Sequence, residues 1–216
     1  ENAFSDSDVR LLQTLANSMS VALENARLFD ETQRLLKITE DRAAELSIIN
    51  SVQQGLASKL EMKAIYDLVG DKVRDIFNTE VVYIAIRNPD DPNIIDFPFY
   101  LDRGKRIGQT GVTLGEGITS KVILTNQVVI ANSMQEQLDM GGIYDEGEES
   151  QSYLGVPITL GDFVAGVVSV QSYQQNTFVE SDVRLLSTLA SSMGVALENA
   201  RLFDETQRLF KAEQER

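Results

Sequence analysis

The sequence predicts an α+β fold: an antiparallel sheet with helices packed on one face, preceded by a long continuous helix. Three observations predict it. No Gly or Pro occurs between residues 5 and 54, and apolar residues recur there every three or four positions. Later runs such as VVYIAIR and FVAGVVSVQSY are rich in β-branched residues and of strand length. The element order is long helix, helix, strands, short helix, strands, long helix, which suits a sheet carrying helices on one face.

The first helix opens at Ser5-Asp6-Ser7-Asp8, which offers capping side chains and first-turn carboxylates. Gly55 is its first plausible breaker. About 50 residues of helix would reach roughly 75 Å, more than a small domain needs. One stripe, Leu12, Leu15, Met19, Ala22, Ala26 and Phe29, has the narrow spacing of a coiled coil or bundle seam. A neighbouring stripe runs Val21, Asn25, Leu28, Thr32, Leu35, Thr39, Arg42, Leu46, Ile49, Gln53 and Leu56. Two adjacent apolar faces let such a helix pack on its own domain and on a partner chain. Polar seam residues such as Asn25 and Thr32 weaken an interface but can set its register.

A second helix is predicted over 61–77, from the apolar face of Met62, Ile65, Leu68, Val69, Val73, Ile76 and Phe77. Strands follow at 81–87 and 94–101, divided by the turn cluster NPDDPN. Pro98 marks the second as an edge strand or a bulge. Residues 103–117 read as Gly-rich loop, 118–126 as a short helix, 128–131 as a short strand and 132–152 as an acidic loop. The strands 152–160 and 163–173 flank Gly161-Asp162, the spacing of a tight hairpin. QQNT then leads into a closing helix over 179–216.

That closing helix repeats the opening one. Residues 4–37 and 178–211 are identical at 28 of 34 positions. The mismatches are Ser5/Val179, Asp6/Glu180, Gln13/Ser187, Asn17/Ser191, Ser20/Gly194 and Leu36/Phe210. Packing fixes an apolar stripe but not exposed letters such as Asp30 or Gln33, so domain duplication explains the match best. A period of 174 residues is domain-sized. Residues 1–37 are therefore expected to be the closing helix of a preceding domain, running into a linker helix to about residue 55. Residues 38–216 are expected to be the intact domain. Glu1, rather than Met, fits a segment of a longer protein.

Composition excludes several functions. The 216 residues carry a net charge of −14, which argues against nucleic-acid backbones and anionic membrane surfaces. No apolar run approaches a membrane span. With no Cys there is no thiolate chemistry, and with no His no imidazole base or ligand. The lack of disulfides suits a cytoplasmic home.

The stretches YLGVPITLGDFVAGVVSVQSY and SDVRLLSTLASSMGVALENARLF, the latter led by Phe178, resemble a GAF domain, the small-molecule sensing and dimerisation module of signalling proteins. GVTLGEGITSKVILTNQVVIANS also fits that family. The resemblance covers about residues 44–203, plus the closing helix of a preceding copy in 4–36. It implies a tandem array in a signalling protein such as a sensor histidine kinase or a nucleotide cyclase. Cyclic-nucleotide-binding members carry an Asn-Lys pair, a Phe and an Asp-Glu pair. Phe178 and Asp182 match, but Gln171-Ser172 and Val183 replace the rest, and the motif is broken. Covalent bilin needs Cys and axially ligated haem needs His, so both cofactors are excluded. The sulfoxide reductases of this fold need Cys and are excluded likewise.

The resemblance places a ligand between the sheet face and the loops covering it. Tyr83, Phe97, Phe99, Met134, Tyr144 and Tyr153 are the side chains expected there. The same aromatics would also fill a closed core, and the residues leave both readings open. Gly115-Glu116-Gly117 before a helix reads as turn chemistry more than as an anion cradle. The loop DMGGIYDEGEE lacks the EF-hand order and reads as a solvated lid. No catalytic constellation is visible, and no metal site is expected. The expectation is a non-enzymatic sensor or relay module. Two chains would pair in parallel through Ala22, Asn25, Leu28, Thr32, Leu35, Leu46, Ile49 and Leu202; a ligand-free dimerisation spacer is the alternative.

Overall fold

The computed structural model describes residues 5–57, 61–108, 111–143 and 149–214. Helix α1, Asp6–Ala57, begins as its sequence dictates: Ser5 Oγ donates to Asp8 Oδ2 at 2.7 Å while the Asp8 N–H reaches Ser5 Oγ at 3.3 Å. The Ser5 hydroxyl and then the Ser5 N–H, 2.9 Å from Asp8 Oδ2, hold the Asp8 carboxyl below its ordinary pKa. The helix ends at Ala57, two residues past Gly55. A Cβ there would stand 3.0 Å from Leu68 Cδ2, so the glycine gives space to a packed side chain. The chain divides into two compact units, Glu1–Ile48 and Ile49–Arg216. In the first, the large apolar side chains of α1 from Val9 to Leu46 lie exposed.

The second unit holds α2 (Met62–Phe77), β1 (Val81–Arg87), β2 (Ile94–Asp102), β3 (Lys105–Arg106), β4 (Val112–Thr113), α3 (Gly117–Thr125), β5 (Val129–Ala131), α4 (Met134–Asp139), β6 (Ser152–Leu160), β7 (Phe163–Ser172) and α5 (Glu180–Gln214). The strands form one antiparallel sheet in the order β3-β2-β1-β7-β6-β5, with β4 also on β2. Gly161, at φ 60°, makes the tight β6–β7 turn. The two-residue strands β3 and β4 add to the β2 edge where only loop was expected, because two residues are too few to show strand alternation.

Helices α2 and α5 cover one face. Their core joins Ile65, Val69, Val73, Leu186, Leu189, Met193 and Leu197 to Ile84, Leu154, Ile158 and Val168, with Val52 and Leu56 from the end of α1. Each such large side chain, once buried, contributes about 1.5–3 kcal/mol. Gly194 brings α5 against β6: a Cβ there would overlap the Thr159 carbonyl oxygen. The other face carries a second core, in which Ile118, Val122 and Ile123 of α3 meet Tyr83, Ala85, Ile95, Tyr153 and Val167. On this side α4 replaces part of the expected acidic loop. Ser133 and Glu136 have capping-box spacing; Ser133 Oγ accepts from the Glu136 N–H at 3.2 Å, and Glu136 accepts from the Asn132 N–H at 2.8 Å. Six residues are too few to show helical periodicity.

Candidate functional site

On the face away from α2 and α5 lies a cavity of about 440 Å³. Strand alternation decides its floor. Tyr83 and Ala85 point to this side, Val82 and Ile84 to the other. On β2 the phase changes once. Pairing passes from Ile84–Phe99 to Ile86–Asp96, so Phe97 and Pro98 together stand opposite Ala85. That is the bulge Pro98 announced. Before it odd-numbered residues face the cavity side, and after it even-numbered ones do. Phe97 and Tyr100 therefore share the cavity, and Phe99 turns to the opposite core.

The expectation that Phe99 faces the cavity is thus corrected. Its ring is wholly buried where a Cβ on Gly70 would otherwise be, with the Arg106 guanidinium 3.7 Å from its centroid. Met134 is also corrected. It opens α4 without lining the cavity; Gln137, one turn on, lines it and donates from Nε2 to the Ser150 carbonyl at 2.9 Å. Tyr83, Phe97 and Tyr153 do come together there. Tyr144 lies outside the described residues.

Tyr83 is the hub. Its ring meets Phe97 edge-on at 5.4 Å and Tyr100 at 5.7 Å. Its hydroxyl donates to Tyr153 Oη at 3.3 Å and bonds Thr119 Oγ1 at 2.7 Å. Gly155 admits the Tyr153 ring, which fills the space a Cβ would take. The buried Ser169 Oγ lies beside the Tyr83 and Tyr153 hydroxyls. Burial raises the phenol pKa of Tyr83 and Tyr153. Tyr100 is pushed up to about 12, first by burial and then by Tyr83 and Asp102.

Sequence reasoning missed the polar end of the cavity. Asp102, Glu149, Ser150, Gln171 and Tyr173 line it. Tyr173 donates to Asp102 Oδ1 at 3.0 Å, and Ser150 Oγ donates to Gln171 Oε1 at 2.6 Å. The available signal was Gln171, a polar residue inside the apolar run VVSVQS, with Val81 opposite both it and Asp102 in the sheet register. Among the described residues, no group of three acidic side chains is gathered to hold a metal, and no helix is long and apolar enough to cross a membrane.

The residues expected at a dimer seam lie on two helices. Ala22, Asn25, Leu28, Thr32, Leu35 and Leu46 of α1 and Leu202 of α5 are exposed, and Ile49 is half-buried. A groove of about 410 Å³ in the second unit is lined by Gln53 and Leu56 of α1 and by Val195 and Asn199 of α5. These four continue the second stripe of the repeated helix.

A model of the GAF domain matches residues 59–198. The formate hydrogenlyase transcriptional activator FhlA of Escherichia coli K12 is 22% identical over 218 residues, covering 97% of this chain and 31% of that protein. The chain thus spans under a third of that relative. The GAF domain of an Acinetobacter phosphoenolpyruvate-protein phosphotransferase aligns with a TM-score of 0.65 at 20% identity, over 74% of this chain and 95% of that one. A free methionine-R-sulfoxide reductase of Neisseria meningitidis aligns at 0.63 and 16% identity, over 74% and 92%. At these identities the two structures bear on fold alone.

Proposed function

The chain belongs to the GAF domain family, and on that premise we propose that it is a non-enzymatic sensor or relay module of a longer signalling protein. The cavity carries this reading. A volume of about 440 Å³ with an aromatic floor and a polar end suits a small molecule better than a closed core does. With neither His nor Cys, the chain has no imidazole or thiol to do chemistry on what it binds. The ligand is held without a covalent bond.

Occupancy reaches the helices through the sheet. Tyr153 lies on β6 in the cavity, and Thr159 of the same strand touches α5 at Gly194. Two chains pair in parallel through the second stripe, from Asn25, Leu28, Thr32 and Leu35 to Leu46 and Ile49, and again through Leu202. Ala22 belongs elsewhere, since its counterpart Ala196 is buried on the sheet. The first stripe of α1 docks on the sheet of a preceding domain of the same kind, which the 28 identities with the closing helix support. The output is a kinase, a cyclase or, as the likeness to FhlA supports, a transcriptional activator.

Thermal unfolding of the chain against a metabolite library tests the proposal. A ligand at a hundred times its Kd stabilises by about 2.7 kcal/mol, several degrees in Tm. Stabilisation that is lost when Thr119→Trp fills the cavity is the expected result. No stabilisation by any compound would leave a dimerisation spacer instead.

A further inference from the structure

We propose that the cavity selects a small organic cation, an ammonium group on an apolar or aromatic body. This rests on the sensor reading above and adds the charge of its ligand. The cavity has two chemically different ends. Tyr83, Phe97 and Tyr100 form an aromatic wall, their rings 5.4–6.2 Å apart. Asp102 and Glu149 bring carboxylates to the other end, and Glu116 brings a third beside α3. No Lys or Arg is among the described lining residues. Arg103 stacks on the Tyr173 ring, 4.0 Å from its centroid, without lining the cavity.

Charge decides what such a space accepts. An anion would enter a half-enclosed site whose described lining offers carboxylates and neither Lys nor Arg. The start of α3 offers backbone N–H groups there, but Glu116 at its N-cap position already places negative charge at that end. A cation gains from the carboxylates and again from the faces of the aromatic rings. The chain's net charge of −14 raises the local concentration of cations further. An organic cation is favoured over a divalent metal because no three described acidic groups converge on one point. The raised pKa of Tyr100 has the same origin in part, since Asp102 and Glu149 both oppose its ionisation after burial does.

Calorimetric titration of the chain with phenethylammonium, tetramethylammonium, 2-phenylethanol and 3-phenylpropionate tests the assignment. Saturable binding of the cations, at least tenfold tighter than of the alcohol and with no heat from the carboxylate, is expected. Asp102→Asn and Glu149→Gln, which keep size and hydrogen bonding, should each weaken cation binding about tenfold and leave the alcohol unaffected. Equal or tighter binding of alcohol or carboxylate overturns the charge assignment and leaves the sensor reading standing. Unchanged cation affinity in both variants also overturns it. No binding of any probe, together with no stabilising compound in the library, overturns both.

Discussion

Residues 12–26 of α1 and 186–200 of α5 carry nearly the same letters and have opposite surroundings. Leu12, Leu15 and Met19 are 60%, 51% and 64% exposed, while Leu186, Leu189 and Met193 are 0%, 1% and 0% exposed. Packing therefore does not follow from the helix alone; it follows from the sheet that α5 has beneath it. The second stripe behaves differently. Val21 and Val195 are both exposed, as are Leu28 and Leu202, and Leu35 and Leu209. One stripe of the repeated helix is made for a sheet, and the adjacent one is left over even when the sheet is there.

The largest expected effect tests the first stripe. Leu189→Ala removes a fully buried side chain and should cost about 2–5 kcal/mol in urea unfolding. Leu15→Ala, the same change in the exposed copy, should stay within about 0.5 kcal/mol in this chain. Equal costs would break the contrast. The mismatch Ser20/Gly194 gives a smaller version. Gly194→Ser forces a side chain against the Thr159 carbonyl and should destabilise by about 1–3 kcal/mol. Ser20→Gly should cost only the helix propensity of glycine, about 0.5 kcal/mol. If Gly194→Ser is tolerated, the close approach of α5 to β6 is not what the glycine serves.

The smallest effect separates the two units by pH. All six Tyr residues lie beyond residue 48. A phenol whose folded pKa is raised stabilises the fold below its unfolded value near 10, and that contribution is lost as pH rises through the folded value. Tyr100 titrates at about 12 in the fold, and Tyr83 and Tyr153 are raised in the same direction. Stability of the second unit should fall between pH 10 and 12, with delayed tyrosine absorbance changes. Tyrosines that all titrate near 10 in the folded chain would contradict this.

Much of this was legible in the residues. The α1 periodicity, the strand runs and the Gly161-Asp162 hairpin each state their element locally, because backbone preference and burial agree there. The aromatic wall was legible only up to Pro98. Phe97 and Phe99 look like neighbours on one face until the bulge changes the phase, and a bulge fixes its register through the partner strand, not through its own letters. The polar end was hidden for a similar reason. Asp102, Gln171 and Glu149 meet through pairing and loop return across long sequence distances. Gly55 lies two residues before the last residue of α1, and what its letter did not show is the space it leaves for Leu68.

The division of labour between the two stripes is tested most directly by single cysteines, since the chain has none of its own. Leu202→Cys places a thiol on the left-over stripe. Asp204→Cys places one two residues on, roughly on the opposite side of the helix at 100° per residue. In a parallel pair, identical positions on the stripe face each other. Oxidation is expected to give disulfide dimers rapidly at position 202 and not at 204. Monomers at both positions at high protein concentration, or equal crosslinking at the two, would contradict a partner helix on the second stripe.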